Sequence, residues 1–260
     1  MSNISIITIC FNNLDEVLAT CRSVDEQSMP PFEHILVNGF THPDIEKHLQ
    51  THPQPPYRRW HSGPDKGISD AFNIGIRMTK GDVIVLLNSG DCFYDQQSLE
   101  TATAAFNEDP SLQWIHAKFE LHRGHKNIII GKPFEKSKAY RGMRSISHQT
   151  MFVQKSLYDR YGLYDTDMRI AMDYDFLLRI INEKFRFIEK PLVRFAPGGV
   201  SSLQYERGLE EMRSSYHRHI GKSWKLNIWQ ARLRFLRWLL QTRIGKWLFR
   251  LKTALKLENM

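Results

Sequence analysis

Cysteine is scarce in this chain of 260 residues: Cys10, Cys21 and Cys92 are odd in number and widely spaced. That pattern excludes a disulfide framework and a thiolate zinc site, and it fits a reducing compartment. Long apolar runs are also missing. No stretch reaches the roughly 20 apolar residues that a membrane-spanning helix needs. The start lacks a basic segment followed by an apolar one, so no signal peptide is expected. There is no internal repeat and no low-complexity tract. Acid is nearly absent from one end. From residue 222 onward Lys222, Lys225, Arg232, Arg234, Arg237, Arg243, Lys246, Arg250, Lys252 and Lys256 face one acid, Glu258, for a net charge of +9. The preceding chain balances 26 Lys and Arg against 27 Asp and Glu. A near-neutral body with a basic end implies two parts with different tasks.

What is present begins with short β-branched runs. Residues 4–9 (ISIITI), 33–37 (EHILV) and 82–87 (DVIVLL) read as strands, and 57–61 as a further one. The uninterrupted apolar run at 82–87 suits a strand covered on both faces of a parallel sheet. Helical patterns fall at 14–27 and 66–79. Strands alternating with helices predict an open α/β sheet, whose ligands sit outside the carboxyl ends of the strands. Further on, 113–131 predicts a hairpin, 149–153 a strand, 154–161 and 173–183 helices, and 185–188 with 192–195 a second pair of strands.

Two constellations carry candidate chemistry. Asn88-Ser89-Gly90-Asp91 follows the buried strand directly. A carboxylate at that edge needs a partner. A divalent metal on a diphosphate is one such partner, Mg²⁺ or Mn²⁺ being the ions that prefer oxygen ligands; closure of a turn or a helix cap is the other. In Ala171-Met172-Asp173-Tyr174-Asp175-Phe176-Leu177-Leu178-Arg179, two acids open an apolar helix. Capping and the helix dipole account for Asp175. Asp173 is a candidate general base, since a carboxylate held at a helix start can take a proton from a hydroxyl. His116, His122 and His125 read as surface residues rather than metal ligands. Gly221-Lys222-Ser223 lacks the earlier glycine of a phosphate loop, that position being Tyr216.

The motifs ISIITICFNN, PDKGISDAFNIGI, GDVIVLLNSGD, SHQTMFV and MDYDFLLRI, in this order from about residue 4 to residue 202, resemble the family 2 glycosyltransferases, including those of colanic acid type that build bacterial surface polysaccharides. The resemblance implies a GT-A fold, a Rossmann-like open mixed sheet flanked by helices. It implies a catalytic domain over 1–221, with a nucleotide-binding half (1–92) and an acceptor-binding half (93–221), before a helical tail over 222–260. It further implies inverting transfer from a nucleoside diphosphate sugar, a UDP-sugar being favoured, with Mg²⁺ or Mn²⁺. By position, Thr8, Cys10 and Asn12 match the first nucleotide loop, and Asn38 stands where the family has an acid that contacts the base. Asp65 and Lys66 match the loop near ribose and base, with Asp70 and Asn73 on the helix beneath. Ser89, Gly90 and Asp91 match the metal motif, Asp91 being its ligand. His148 and Gln149 line the acceptor and sugar side, Asp173 is the base, and Ser201 and Ser202 lie in a loop over the diphosphate. The metal motif carries one acid instead of two or three. A non-catalytic nucleotide- or polyanion-binding protein of this fold is the competing reading.

In the basic end, Trp224, Ile228, Ala231, Phe235 and Trp238 fall on one helical stripe. Aromatics on one side and cations on the other suit a helix lying on anionic lipid. Packing of the stripe against the body is the alternative, and nucleic acid is not expected as a partner. With a saccharide acceptor carried on a lipid, the expected location is cytoplasmic, peripheral on the inner face of the bacterial cytoplasmic membrane.

Overall fold

The computed structural model describes residues 2–11, 13–39, 43–123, 126–144, 146–196 and 204–242. The first half runs β1 (Ile4–Cys10), α1 (Leu14–Asp25), β2 (Glu33–Asn38), α2 (Pro43–Thr51), β3 (Arg58–Ser62), α3 (Ile68–Met78) and β4 (Val83–Leu86). The second runs β5 (Cys92–Phe93), α4 (Ser98–Glu108), β6 (Trp114–Arg123), β7 (Lys126–Ile130), β8 (Phe152–Gln154), α5 (Lys155–Tyr161), α6 (Met172–Arg179), β9 (Phe185–Phe195), α7 (Tyr205–His219) and α8 (Trp224–Gln241). Short 3₁₀ turns occupy Lys136–Arg141 and His148–Thr150.

One mixed sheet holds the strands in the order β3-β2-β1-β4-β8-β6-β9-β5, with β7 beside β6. β3, β2, β1 and β4 are mutually parallel, and β8 joins β4 antiparallel. Adjacent residues of β1 serve opposite faces, as a pleated strand requires. Ile7 packs with Phe72 and Ile76 of α3, whereas Ile6 packs with Leu99 and Phe106 of α4. Both isoleucines are wholly buried, so the strand is covered on both faces rather than on one.

Two elements differ from the sequence pattern, and the alternative left open for the tail is decided. Residues 185–195 form one strand, not two; the ladder with β6 shifts register near Pro191, which has no N–H to give. The expected helix over 173–183 ends at Arg179. The apolar stripe of α8 does not pack on the body: Trp224, Ile228, Phe235 and Trp238 are all more than half exposed. A different side of that helix grips the body. Leu226 and Trp229 are buried, Gln230 Nε2 donates to Leu209 O at 2.7 Å, and Arg234 pairs with Glu206 at 2.9 Å. Among the described residues, no helix is long and apolar enough to cross a membrane.

Glu33, buried at the start of β2, accepts hydrogen bonds from Ser5 Oγ at 2.7 Å and Gly81 N at 3.2 Å, and also from Lys80 N and Arg59. Burial alone would raise its carboxyl; these donors outweigh it and hold the group below its ordinary value. A depressed carboxyl stabilises the fold above its unfolded value, and that contribution is lost as pH falls through the folded one. Glu33→Gln is therefore expected to cost about 2 kcal/mol at neutral pH, a deficit that shrinks as denaturant titrations are moved into the acid range.

Candidate active site

The parallel strands end together. Cys10 of β1 pairs in register with Asn38 of β2, and Asn38 with Ser62 of β3. Ser89 N donates to Ile9 O at 3.4 Å, which ties the segment after β4 to the same edge. Cys10 is buried, and burial pushes its thiol well above the usual range. Asn38 is fully buried, and its Oδ1 and Nδ2 have no partner among the described residues. Beside it Gly39 leaves room for Asp65: a Cβ there would fall 1.3 Å from Asp65 Oδ2, so the Asp65 carboxylate lies directly over the end of β2. Asp65 Oδ1 also accepts from Gly67 N at 2.7 Å, and Asp70 Oδ2 from Lys66 N at 3.0 Å, closing the turn into α3. The Lys66 side chain is exposed.

Thr8 and Asn73 lie deeper. Thr8 is wholly buried, its Oγ1 3.0 Å from His34 Nε2. His34 Nδ1 accepts from Arg58 Nε at 3.2 Å, which leaves the imidazole proton on Nε2, donated to Thr8. Asn73 clamps the backbone of Tyr164, giving its Nδ2 to the carbonyl and taking the N–H on Oδ1, both at 2.9 Å. Asn12, Ser201 and Ser202 lie outside the described residues, as does His125 of the discounted histidines. His116 is buried among Trp114, Phe185 and Phe187, and desolvation lowers it to about 4, a neutral core imidazole.

Asp91 is buried, its Oδ2 accepting from Gln149 Nε2 and its Oδ1 from Ala196 N, both at 2.9 Å. Burial raises its carboxyl, and those two donors oppose the rise. Gly90 adopts φ +90°, a left-handed conformation suited to glycine, and its N–H reaches Thr20 Oγ1 at 2.9 Å and Glu16 O at 3.1 Å. Thr20 Oγ1 in turn donates to Asp91 O at 2.8 Å. Thr20 thus braces the turn from α1, a role that its place in an ordinary amphipathic pattern does not signal.

Asp173 stands in the first turn of α6. Its Oδ1 accepts from Tyr174 N at 2.7 Å, and its Oδ2 lies 3.3 Å from His148 Nδ1. His148 Nε2 is 3.3 Å from Asn88 Nδ2, and the ring meets Phe72 edge-on at 5.8 Å. With Asn88 Nδ2 donating, Nε2 accepts and the imidazole proton sits on Nδ1, toward the carboxylate. Asn88 Oδ1 is left buried and without a partner among the described residues. A continuous polar run therefore joins the end of β4 to Asp173. The start of α6 is held from outside by Glu211 of α7, which accepts from Arg169, Ile170 and Ala171 N–H groups at 3.1, 2.8 and 2.9 Å. Burial would raise Glu211, yet those donors and Arg207 keep it low and charged. Asp175 is buried against Arg179 at 3.1 Å and His219 at 2.9 Å, so it fastens α7 to α6. Sequence reading did not single out Asn88's link to His148 or the Glu211 brace.

Among the described residues, no group of three His, Cys, Asp or Glu side chains converges on a metal position. The donors at the end of β4 are one carboxylate, Asp91, and the partnerless amide oxygen of Asn88. Both are hard oxygen donors, the type that Mg²⁺ or Mn²⁺ prefers, and each Asp91 oxygen also accepts one hydrogen bond.

A mixed open sheet whose parallel edge gathers these polar groups is a GT-A fold, the class of nucleotide-sugar-dependent transferases. The family model described as Glycosyl transferase family 2 matches residues 5–162, and the chain belongs to that family of enzymes. It is 33% identical over 179 residues to an uncharacterized glycosyltransferase of Mycobacterium tuberculosis, covering 68% of each chain. A PGL/p-HBAD biosynthesis glycosyltransferase of Mycobacterium tuberculosis is 25% identical over 179 residues, 64% of this chain and 65% of its own. Among solved structures, Staphylococcus aureus TarS 1-349 in complex with UDP-GlcNAc superposes with a TM-score of 0.62 at 15% identity, covering 88% of this chain and 71% of that one. The mannosyltransferase PcManGT from Pyrobaculum calidifontis, in complex with GDP-Man and Mn²⁺, gives 0.63 at 15% identity, covering 99% and 81%.

Proposed function

We propose that this chain is an inverting glycosyltransferase that moves a sugar from a nucleoside diphosphate sugar, a UDP-sugar being favoured, to a lipid-linked saccharide in surface polysaccharide biosynthesis. The observation that carries this reading is the Asp173–His148–Asn88 run, which sets a proton acceptor beside the carboxyl edge of β4. Asp173 takes the proton of the acceptor hydroxyl as that oxygen attacks the anomeric carbon from the face opposite the departing diphosphate. His148, holding its proton on Nδ1, fixes the carboxylate and keeps it an acceptor. The ends of β1 and β2, with Cys10, Asn38 and Asp65, receive base and ribose; Asn38 has unused amide groups for a base edge. Asp91 and Asn88 would hold Mg²⁺ or Mn²⁺, which when bound would supply positive charge against the diphosphate. Residues 1–221 are read as the catalytic domain and 222–260 as a membrane-facing tail. GDP-Man and UDP-GlcNAc, named with the two solved structures, mark the donor classes to try first.

The test is a binding and turnover screen of nucleotide sugars with and without Mn²⁺ or Mg²⁺. Expected is affinity for one donor with slow metal-dependent hydrolysis. Nucleotide binding with no hydrolysis or transfer to any acceptor would instead favour the non-catalytic reading.

The placement on a membrane rests on α8, whose outward face is apolar and lies beside Lys225 and Arg232. The full chain carrying Trp224→Ser, Ile228→Ser, Phe235→Ser and Trp238→Ser is expected to lose most of its flotation with anionic vesicles while unfolding at the same temperature. Equal flotation of both forms would remove the membrane from this account.

A further inference from the structure

Between the 3₁₀ turn at 136–141 and α8, three arginines surround one indole. The guanidinium carbons of Arg141, Arg144 and Arg232 lie 5.4, 5.3 and 5.4 Å from the Trp229 ring centroid. Stacking on an aromatic face accounts for one or two such contacts. It does not account for three like charges gathered at one ring, since they repel one another. Among the described residues none of the three pairs with a carboxylate; Arg141 Nε donates to Tyr140 OH at 3.1 Å. The nearby acids are committed elsewhere, Glu135 to Lys138 at 2.6 Å and Glu206 to Arg234 at 2.9 Å. The stretch from 132 to 144 carries Lys132, Lys136, Lys138, Arg141 and Arg144 against Glu135 alone.

A second observation is independent of charge. Trp229 is only 8% exposed, and its Nε1–H has no acceptor among the described residues. An indole nitrogen can only donate, and a buried donor without a partner is costly. Guanidinium forks and an N–H donor, with no acid among them, have the chemistry that receives a phosphate.

We infer that Arg141, Arg144, Arg232 and Trp229 form a phosphate-binding cradle, and that its ligand is a phosphate carried on a lipid. The lipid source follows from position and rests on the membrane reading above. Arg232 is on α8, next to Ala231 of the outward apolar stripe, so a surface that takes up Trp224 and Trp238 brings its headgroups to the cradle.

The full chain is tested against phosphatidylcholine vesicles with and without phosphatidylglycerol, and separately against inorganic pyrophosphate in solution, by flotation and tryptophan fluorescence. The Arg141→Gln, Arg144→Gln, Arg232→Gln form is expected to lose affinity for the phosphatidylglycerol vesicles on the order of a hundredfold. Replacement of the same three by Lys keeps the charge but not the fork, and is expected to recover only part of that loss. Trp229→Phe, which keeps the ring and removes the N–H, is expected to cost about fivefold. The outward-face variant of α8 loses affinity for both kinds of vesicle and binds pyrophosphate as the unaltered chain does. If the three-glutamine form binds phosphatidylglycerol vesicles and pyrophosphate as the unaltered chain does, the cradle is wrong even where the membrane reading stands. If the unaltered chain ignores vesicles while pyrophosphate binds and is lost in the glutamine form, the lipid assignment and the membrane reading both fail and a soluble phosphate is the ligand.

Discussion

Asp173→Asn is expected to cut turnover about a thousandfold while donor affinity and the unfolding temperature stay near those of the unaltered chain. Asparagine matches the carboxylate in shape, and its carbonyl can still accept the Tyr174 N–H now held at 2.7 Å. It cannot accept a proton at neutral pH, so the loss falls on the chemical step. His148→Gln is the companion. An amide in place of the imidazole can still donate toward Asp173, so this variant should lose less turnover than Asp173→Asn. Unimpaired transfer by a folded Asp173→Asn protein would remove the base from the mechanism.

Asp91→Ala is expected to be costly twice over. Removing the buried carboxylate strands Gln149 Nε2 and Ala196 N, both 2.9 Å donors, at about 2–3 kcal/mol of stability. It also removes the one acid at the end of β4, and transfer should fall by about a hundredfold or more. Asp91→Asn separates the two roles. An amide restores one acceptor and recovers part of the stability, but it carries no charge for a cation. Thermal unfolding and metal-titrated turnover on the pair decide the matter: recovery of stability without turnover fits a metal ligand, whereas recovery of both marks Asp91 as a brace alone.

Much of the nucleotide-binding half was legible. β1, β2 and β4 announce themselves because strands covered on both faces carry apolar residues at adjacent positions, as Ile6 and Ile7 show. Helices α2, α4 and α7 were not read. α2 shows the core only Ile45 and Leu49. α4 is built largely of Ala and Thr, which give little hydrophobic contrast. The tail shows the limit most plainly. Its stripe of Trp224, Ile228, Phe235 and Trp238 is correct as a pattern, yet periodicity cannot say whether a stripe meets the body or the solvent.

For this protein the sequence by itself determined the four parallel strands, the order of the motifs, the charge of the tail and hence the family, because these are properties of neighbours along the chain. Only the tertiary structure decided how the acids are used. Asp91 meets Gln149 and Ala196, and Asp173 meets His148, across 58, 105 and 25 residues. Glu211 reaches the start of α6 from 40 residues further along. Such contacts leave no local period, since the closing chain and not the adjacent residue supplies the partner.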